Sequence, residues 1–504
     1  MTDTESELSQ LALSGVLISF GTVVGSLSKL VERAILTRFL SPDLYGDIDV
    51  LISVMTLTST VALLGLVQGI PRYISRLDSA PDRRGIWVGG GVVAVTAGCI
   101  TCALIWVWAP TLAAALTESV DSVSLLRLLA MSIPMLVAVR VGIGAIRGHE
   151  NTRYRVYTQD LLYPLSRILF ITIMFVGGIR IIAVGYGYLG ALALALVATY
   201  GLLSRLEPLV GEVRFRMREL VKFSLPLAVS TVLAQLLTRI DTVMLGYFRP
   251  SREVGLYGAA YPLASAMVIV LGVFGYLYLP LASRLESTGN SESVEPIYRI
   301  TTRWVYVLTF PLLLTFLVFP ADVINIVFGP AYTSGALALS ILAVGFFTNA
   351  AFGRSRETLS AVGTTRFVLF SNIFGVVVNV VLNLLLIPTY GFIGAAIASA
   401  TSYLTLNLAA YVFLRRHHGV TPFSESMIRA AVVLPLLLVP TAYVLEGTIS
   451  LSWVTLVPFI AAVSITTVMM TYIAGGTRPE DAALVSLLED ATGTDLEWIS
   501  SRLE

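Results

Sequence analysis

Among the charges inside stretches that are otherwise apolar, five cations and two acids stand out: Lys29, Arg33, Arg140, Arg167 and Arg239 against Glu32 and Asp241. The amides of Gln68, Asn349, Asn379 and Asn383 join them. In hydrocarbon every such group needs a partner or water, so it must face the inside of a helix bundle or a wet cavity. The chemistry on offer is binding. Cations can hold an anion, acids can act as counter-ions or carry H+ or Na+, and amides can bond a ligand or glue helices together. Lys29, Glu32 and Arg33 share one helical face, whereas Arg239 and Asp241, two residues apart, point to nearly opposite sides and cannot satisfy each other.

Reacting constellations are missing. No nucleophile–His–acid set can be assembled within the apolar stretches, and no phosphate-cradling G-x-x-x-x-G-K-[ST] loop is present. His149, His417 and His418 fall in polar loops without metal-ligand company. Cys99 and Cys102 form a C-x-x-C, but in an apolar span, where small residues pack helices; the glycines at 89–91 read the same way. A non-enzyme is expected, with no metal or organic cofactor and only H+ or Na+ coupling open.

The elements that position these charges follow from composition. Of 504 residues, 56% are hydrophobic and 13% charged, and the mean hydropathy is +0.83. Soluble chains carry about a quarter charged residues, so the lipid bilayer is the expected solvent. About 20 apolar residues cross it as a helix. Fourteen stretches qualify: 11–36, 47–70, 86–109, 124–146, 157–178, 181–203, 222–247, 257–281, 304–327, 335–352, 367–387, 391–414, 430–446 and 452–474. The expected class is an all-α integral membrane protein. Residues 1–10 are acidic and read as a cytosolic stub, and 475–504 as an acidic cytosolic tail, amphipathic around Leu484–Leu488. Most of the 33 basic residues lie in alternate loops, while the opposite set holds only Arg38, Arg180, Arg249 and Arg252. This bias predicts cytoplasmic termini. With a net charge of +1 and no basic tract interleaved with aromatics, nucleic acid is not an expected partner.

The chain repeats itself. Leu44-Tyr45-Gly46 returns as Leu256-Tyr257-Gly258, the I-S-R-L at 74–77 as A-S-R-L at 282–285, T-R-Y at 152–154 as T-R-F at 365–367, and Y-G-Y-L-G-A at 186–191 as Y-G-F-I-G-A at 390–395. Four matches in one order predict two parallel six-helix bundles. The lobes would be 11–205 and 222–416, joined by a cytoplasmic linker at 206–221 and followed by a helix pair at 417–474. Two equivalent bundles can enclose a cavity that rocking opens to either side, as in transporters. Aligned on Pro42 and Pro250, Arg33 falls opposite Asp241.

The R-F-L-S-P-D-L-Y-G-D at 38–47, G-I-P-R-Y at 69–73, K-F-S-L-P-L at 222–227 and P-T-Y-G-F-I-G-A-A-I-A at 388–398 resemble the polysaccharide-biosynthesis flippases. These belong to the multidrug/oligosaccharidyl-lipid/polysaccharide exporter superfamily. The resemblance implies two lobes, alternating access, and a polyprenyl (pyro)phosphate-linked glycan as substrate. Glycan polymerases or glycosyltransferases are the implied partners. On this reading Lys29, Arg33 and Arg239, with Arg140 and Arg167, would face the phosphate. Glu32 and Asp241 would be counter-ions or ion carriers, and Gln68, Asn379 and Asn383 could contact sugars. The same residues could instead be structural ion pairs and interhelical glue. A cation-coupled drug antiporter on the same scaffold and a non-transporting scaffold of a glycan-assembly complex remain as alternatives.

Overall fold

A computed structural model of the chain describes residues 3–287 and 294–473, and for 3–16, 19, 273–287, 294 and 365 the backbone alone. The expected tail at 475–504 lies outside the described residues, whereas the expected stub begins the first helix. The helices in chain order are α1 (Asp3–Phe39), α2 (Pro42–Ala62), α3 (Leu66–Ile74), α4 (Ala80–Leu116), α5 (Ser122–Gly148) and α6 (Thr152–Arg155). A π-helical turn (Val156–Leu162) then leads into α7 (Tyr163–Val176), followed by α8 (Ile182–Leu203), α9 (Met217–Phe248) and α10 (Ser251–Ser287). The rest are α11 (Val294–Val318), α12 (Pro320–Phe328), α13 (Ala336–Ala351), α14 (Ser355–Ala361), α15 (Thr365–His418), α16 (Glu425–Glu446) and α17 (Trp453–Ile473). No strand occurs among the described residues.

The class is as expected, a multi-pass all-helical membrane protein; the expected count of fourteen spans is not confirmed. Among the described residues twelve helical stretches are long and apolar enough to cross a bilayer, the two helices of 366–418 counting as one. The first expected span falls in α1, which is not among them, and the eleventh and twelfth, at 367–387 and 391–414, are two helices that meet at a kink within α15. Inside α15, Gly391 is non-helical (φ 58°, ψ −137°), a conformation open to glycine. The kink is fastened by Glu253, whose Oε2 accepts from the Phe392 N–H at 3.0 Å. The expected second span also breaks, because Leu64 and Gly65 adopt positive φ and separate α2 from α3.

The chain divides into two compact units. One comprises Phe20–Gly258 with Asn383–Phe392; the other comprises, of the described residues, those of Ala259–Leu382, those from Ile393 onward and those before Phe20. This division differs from the lobe boundaries drawn from the repeat, since α10 and α15 each contribute to both units. In the second unit, amides and aromatics bind helices together. Asn407 Nδ2 donates to Thr348 Oγ1 (2.9 Å) and Asn349 Oδ1 (3.3 Å), and Tyr298 donates to the Phe352 carbonyl at 2.6 Å. Here Asn349 is the interhelical glue that one reading of the sequence expected.

In the first unit the repeat motifs meet. A Cβ on Gly46 would lie 1.9 Å from the Ser251 carbonyl oxygen, and one on Gly255 would lie 2.0 Å from that of Pro42. The starts of α2 and α10 therefore touch backbone to backbone, and neither glycine has room for a side chain. The 206–221 linker is tied down as well. Buried Glu207 accepts from His149 at 3.0 Å and faces Arg83 at 3.7 Å, while Arg84 donates to the Pro208 and Glu212 carbonyls. Replacing Gly46 with Ala should cost about 1–3 kcal/mol of stability through overpacking. Gly201→Ala, where nothing lies within 4 Å, should leave thermal unfolding of the detergent-solubilised protein unchanged. Equal behaviour of the two variants would contradict the close crossing.

Candidate functional site

The charged residues of the first unit sort into groups that are satisfied by protein and groups that are not. Arg33 on α1 is satisfied. Its Nη1 donates to the Gly258 carbonyl at 2.9 Å and to Tyr45 Oη at 3.2 Å, and its Nη2 meets Asp49 Oδ1 at 3.2 Å. Tyr45 Oη donates to the same carbonyl at 3.1 Å. Asp49, near the start of α2 and almost fully buried, also faces Arg239 Nη1 at 3.7 Å. One carboxylate thus stands between cations of α1 and α9, the two elements that the repeat makes equivalent.

Glu32 and Arg167 form a second buried pair, linking α1 to α7. The Arg167 guanidinium also donates to Tyr163 Oη at 3.2 Å and lies over the rings of Tyr188 (4.5 Å) and Tyr163 (5.0 Å). Such stacking suits the weakly hydrated guanidinium. Asp241 on α9 is buried and accepts from Tyr257 Oη at 2.7 Å and from Asn383 Nδ2 at 2.6 Å. The helical reading of Arg239 and Asp241 holds here, since each has its own partner on a different side.

Lys29 and Arg140 differ from these. Lys29 is exposed and Arg140 half-buried, and neither makes a hydrogen bond or an ion pair among the described residues. They lie within range of each other's charge, and Arg167 and Arg239 add to the positive field at Lys29. Gln68 is exposed and donates to Thr231 Oγ1 at 3.1 Å. Asn379 is buried on α15, in the second unit.

Three acids of this unit escaped the sequence reading. Asp47 and Asp49 sit at the start of an expected span, where acids pass for a helix-end signal. Asp47 is nonetheless buried and accepts from the Glu118 N–H (3.2 Å), the Ser119 N–H (2.9 Å) and the Ser251 hydroxyl. Asp160, in the π-turn, is likewise buried. The available signal was the one used for Glu32, an acid within an apolar run. Tyr45 and Tyr257 were visible as repeat markers, but their hydroxyl partners were not.

A helical membrane bundle with charged groups among its helices and internally repeated motifs is the architecture of a transporter. The chain belongs to the polysaccharide biosynthesis protein family, whose family model matches residues 12–286; the MatE model matches residues 226–385. "Probable low-salt glycan biosynthesis flippase Agl15" of Haloferax volcanii is 26% identical over 189 residues, 37% of this chain and 39% of that protein. The match thus spans about two-fifths of that relative's length. "Lipid II flippase MurJ" of Bacillus subtilis is 24% identical over 424 residues, 72% of this chain and 75% of that protein. A solved structure of "Lipid II flippase MurJ, inward closed conformation" superposes with a TM-score of 0.72 at 11% identity, covering 91% of this chain and 99% of that one. At that identity the likeness is one of fold. The relatives named here are flippases, in keeping with the reading as a non-enzyme.

Removing one member of a buried ion pair strands the other, at a cost of about 3–5 kcal/mol. Glu32→Gln and Arg167→Met should each lower thermal stability by that order, and the double variant should recover much of the loss. Additive losses in the double variant would show that the pair does not hold α1 to α7.

Proposed function

We propose that the chain is a flippase for a polyprenyl-(pyro)phosphate-linked oligosaccharide. It would move the lipid from the cytoplasmic to the outer leaflet of the cell membrane by alternating access, for assembly of surface polysaccharide or glycoprotein. Both termini would be cytoplasmic, in line with the arginine distribution. The observation that carries the reading is the state of Lys29 and Arg140. Two cations on otherwise apolar helices, without protein partners among the described residues, are costly in a bilayer unless something anionic or water completes them. A phosphate does so with charge-assisted hydrogen bonds, while sugars occupy water and the tail stays in lipid.

The roles then divide. Lys29 and Arg140 receive the phosphate, and Arg239, only 3.7 Å from Asp49, is free to lean towards it. Arg33 and Arg167 keep their protein partners and hold α1 in place. Asp241, gripped by Tyr257 and Asn383, is the acid we assign to H+ or Na+ coupling. Glycan polymerases or glycosyltransferases would be its working partners. The MatE match over 226–385 favours, as the second reading, a cation-coupled drug antiporter.

Reconstitution in liposomes with a fluorescent polyprenyl-phosphate saccharide and, separately, a cationic dye distinguishes the two. The lipid should cross and the dye should not; dye efflux without lipid translocation sinks the proposal. Lys29→Ala and Arg140→Ala should each slow lipid translocation by about tenfold or more, the worth of a hydrogen bond to a charged group, without loss of folded protein. Arg33→Ala should instead show first as lost stability, because it leaves Asp49 without its closest cation.

A further inference from the structure

A groove of about 520 Å³ opens between α8 on one side and the π-turn with α7 on the other. Leu161, Leu165 and Leu169 line one wall, and Leu194, Ala198 and Leu202 the other. Each set repeats every four residues, so each wall is one helical stripe. Eight residues of helix make the groove about 12 Å long at 1.5 Å per residue. Its floor carries two hydroxyls that are already used within their own helices: Thr158 donates to the Tyr154 carbonyl at 2.9 Å and Ser166 to that of Tyr163 at 3.1 Å. The groove thus offers hydrocarbon contact along a line and no polar site. That shape and surface suit a chain better than a rounded ligand.

A quarter-turn away on the same segment the character reverses. Val156 and Asp160 face α1, since a Cβ on Gly21 would lie 2.9 Å from Val156 Cγ1 and 3.1 Å from Asp160 Oδ2. Asp160 is 8% exposed. Its Oδ1 accepts from Gln159 at 3.1 Å, and its Oδ2 has no hydrogen-bond partner among the described residues. The charges of Arg155, Arg140 and Lys29 all bear on it. The π-turn, which widens the helix and is frequent at functional sites, therefore has an apolar groove on one face and a cationic cluster on the next. An amphiphile with an anionic head and a long tail matches that pair of faces. By the arginine distribution this end of α7 and α8 lies towards the cytoplasmic leaflet, where such a lipid would enter.

We infer that the groove between the π-turn, α7 and α8 holds the isoprenoid tail of the lipid-linked substrate while its phosphate lies against Lys29 and Arg140. This rests on the flippase reading above. Asp160 stands in for the phosphate among the cations until the lipid arrives, and the π-turn sets head and tail sites at a fixed spacing.

The test uses the full chain in phosphatidylcholine vesicles holding a long-chain polyprenyl phosphate as a minor component. Photoreactive p-benzoylphenylalanine replaces Leu165 or Leu194 in the groove, or Leu437 on α16 as a lipid-exposed control. Groove positions should crosslink to polyprenyl phosphate far beyond its share of the lipid, and the control in proportion to it. Filling the groove with Ala198→Trp should weaken binding of the long-chain phosphate about tenfold, the cost of about two buried methylenes. Binding of the short, water-soluble dimethylallyl phosphate should be unchanged, which also reports that the variant is folded. If the protein binds the long-chain phosphate but the groove labels in proportion to bulk lipid, or A198W leaves its binding intact, the tail site is wrong and the flippase reading stands. If neither phosphate binds the unaltered protein, both fall.

Discussion

Arg33 is the residue on which the first unit depends. A guanidinium in an apolar helix must be saturated with acceptors, because a charge left bare in hydrocarbon costs several kcal/mol. Its fork is filled by the Asp49 carboxylate, the Tyr45 hydroxyl and the Gly258 carbonyl. Those three acceptors lie on α2 and α10, so satisfying one cation fixes α1 against two other helices. The backbone contact of Gly46 with Ser251 and of Gly255 with Pro42 brings the Gly258 carbonyl within reach. The polar demand and the glycine crossing therefore require each other.

With Arg33 and Arg167 matched to acids, Lys29 and Arg140 make no ion pair among the described residues, and Arg239 shares Asp49 with Arg33. Arg140, Arg167 and Arg239 place a positive field at Lys29. The interior as a whole is balanced, because buried Asp47 and Asp241 accept from neutral donors. The positive character is therefore local to Lys29 and Arg140, and total charge does not reveal it.

Much of the fold was legible beforehand. The apolar runs located nearly every helix, and the repeated L-Y-G motifs marked the residues that cross at the α2–α10 contact. The breaks were harder to see. Gly391 and the Leu64–Gly65 pair interrupt helices through positive φ, which depends on what the neighbouring chain fastens, as Glu253 does at Phe392. The kink at Gly391 falls where one expected span ends and the next begins, whereas the break at Leu64–Gly65 divides one expected span into two helices. Asp47, Asp49 and Asp160 passed unremarked because an acid near a span's end looks like a helix-start preference. Their burial is a property of the neighbours.

Composition and periodicity determined, by themselves, that this chain lives in a bilayer as helices, repeats a half, and carries charges inside its apolar runs. Those are one-dimensional properties, written in which residues are apolar and how often motifs recur. Only the tertiary structure decided which charge meets which. Arg33 goes to Asp49, Arg167 to Glu32 and Asp241 to Tyr257 and Asn383, leaving Lys29 and Arg140 without a partner among the described residues. Pairing acts over a few ångströms between residues as far apart as Asp241 and Asn383. Sequence spacing carries no information about such contacts until the helices are packed.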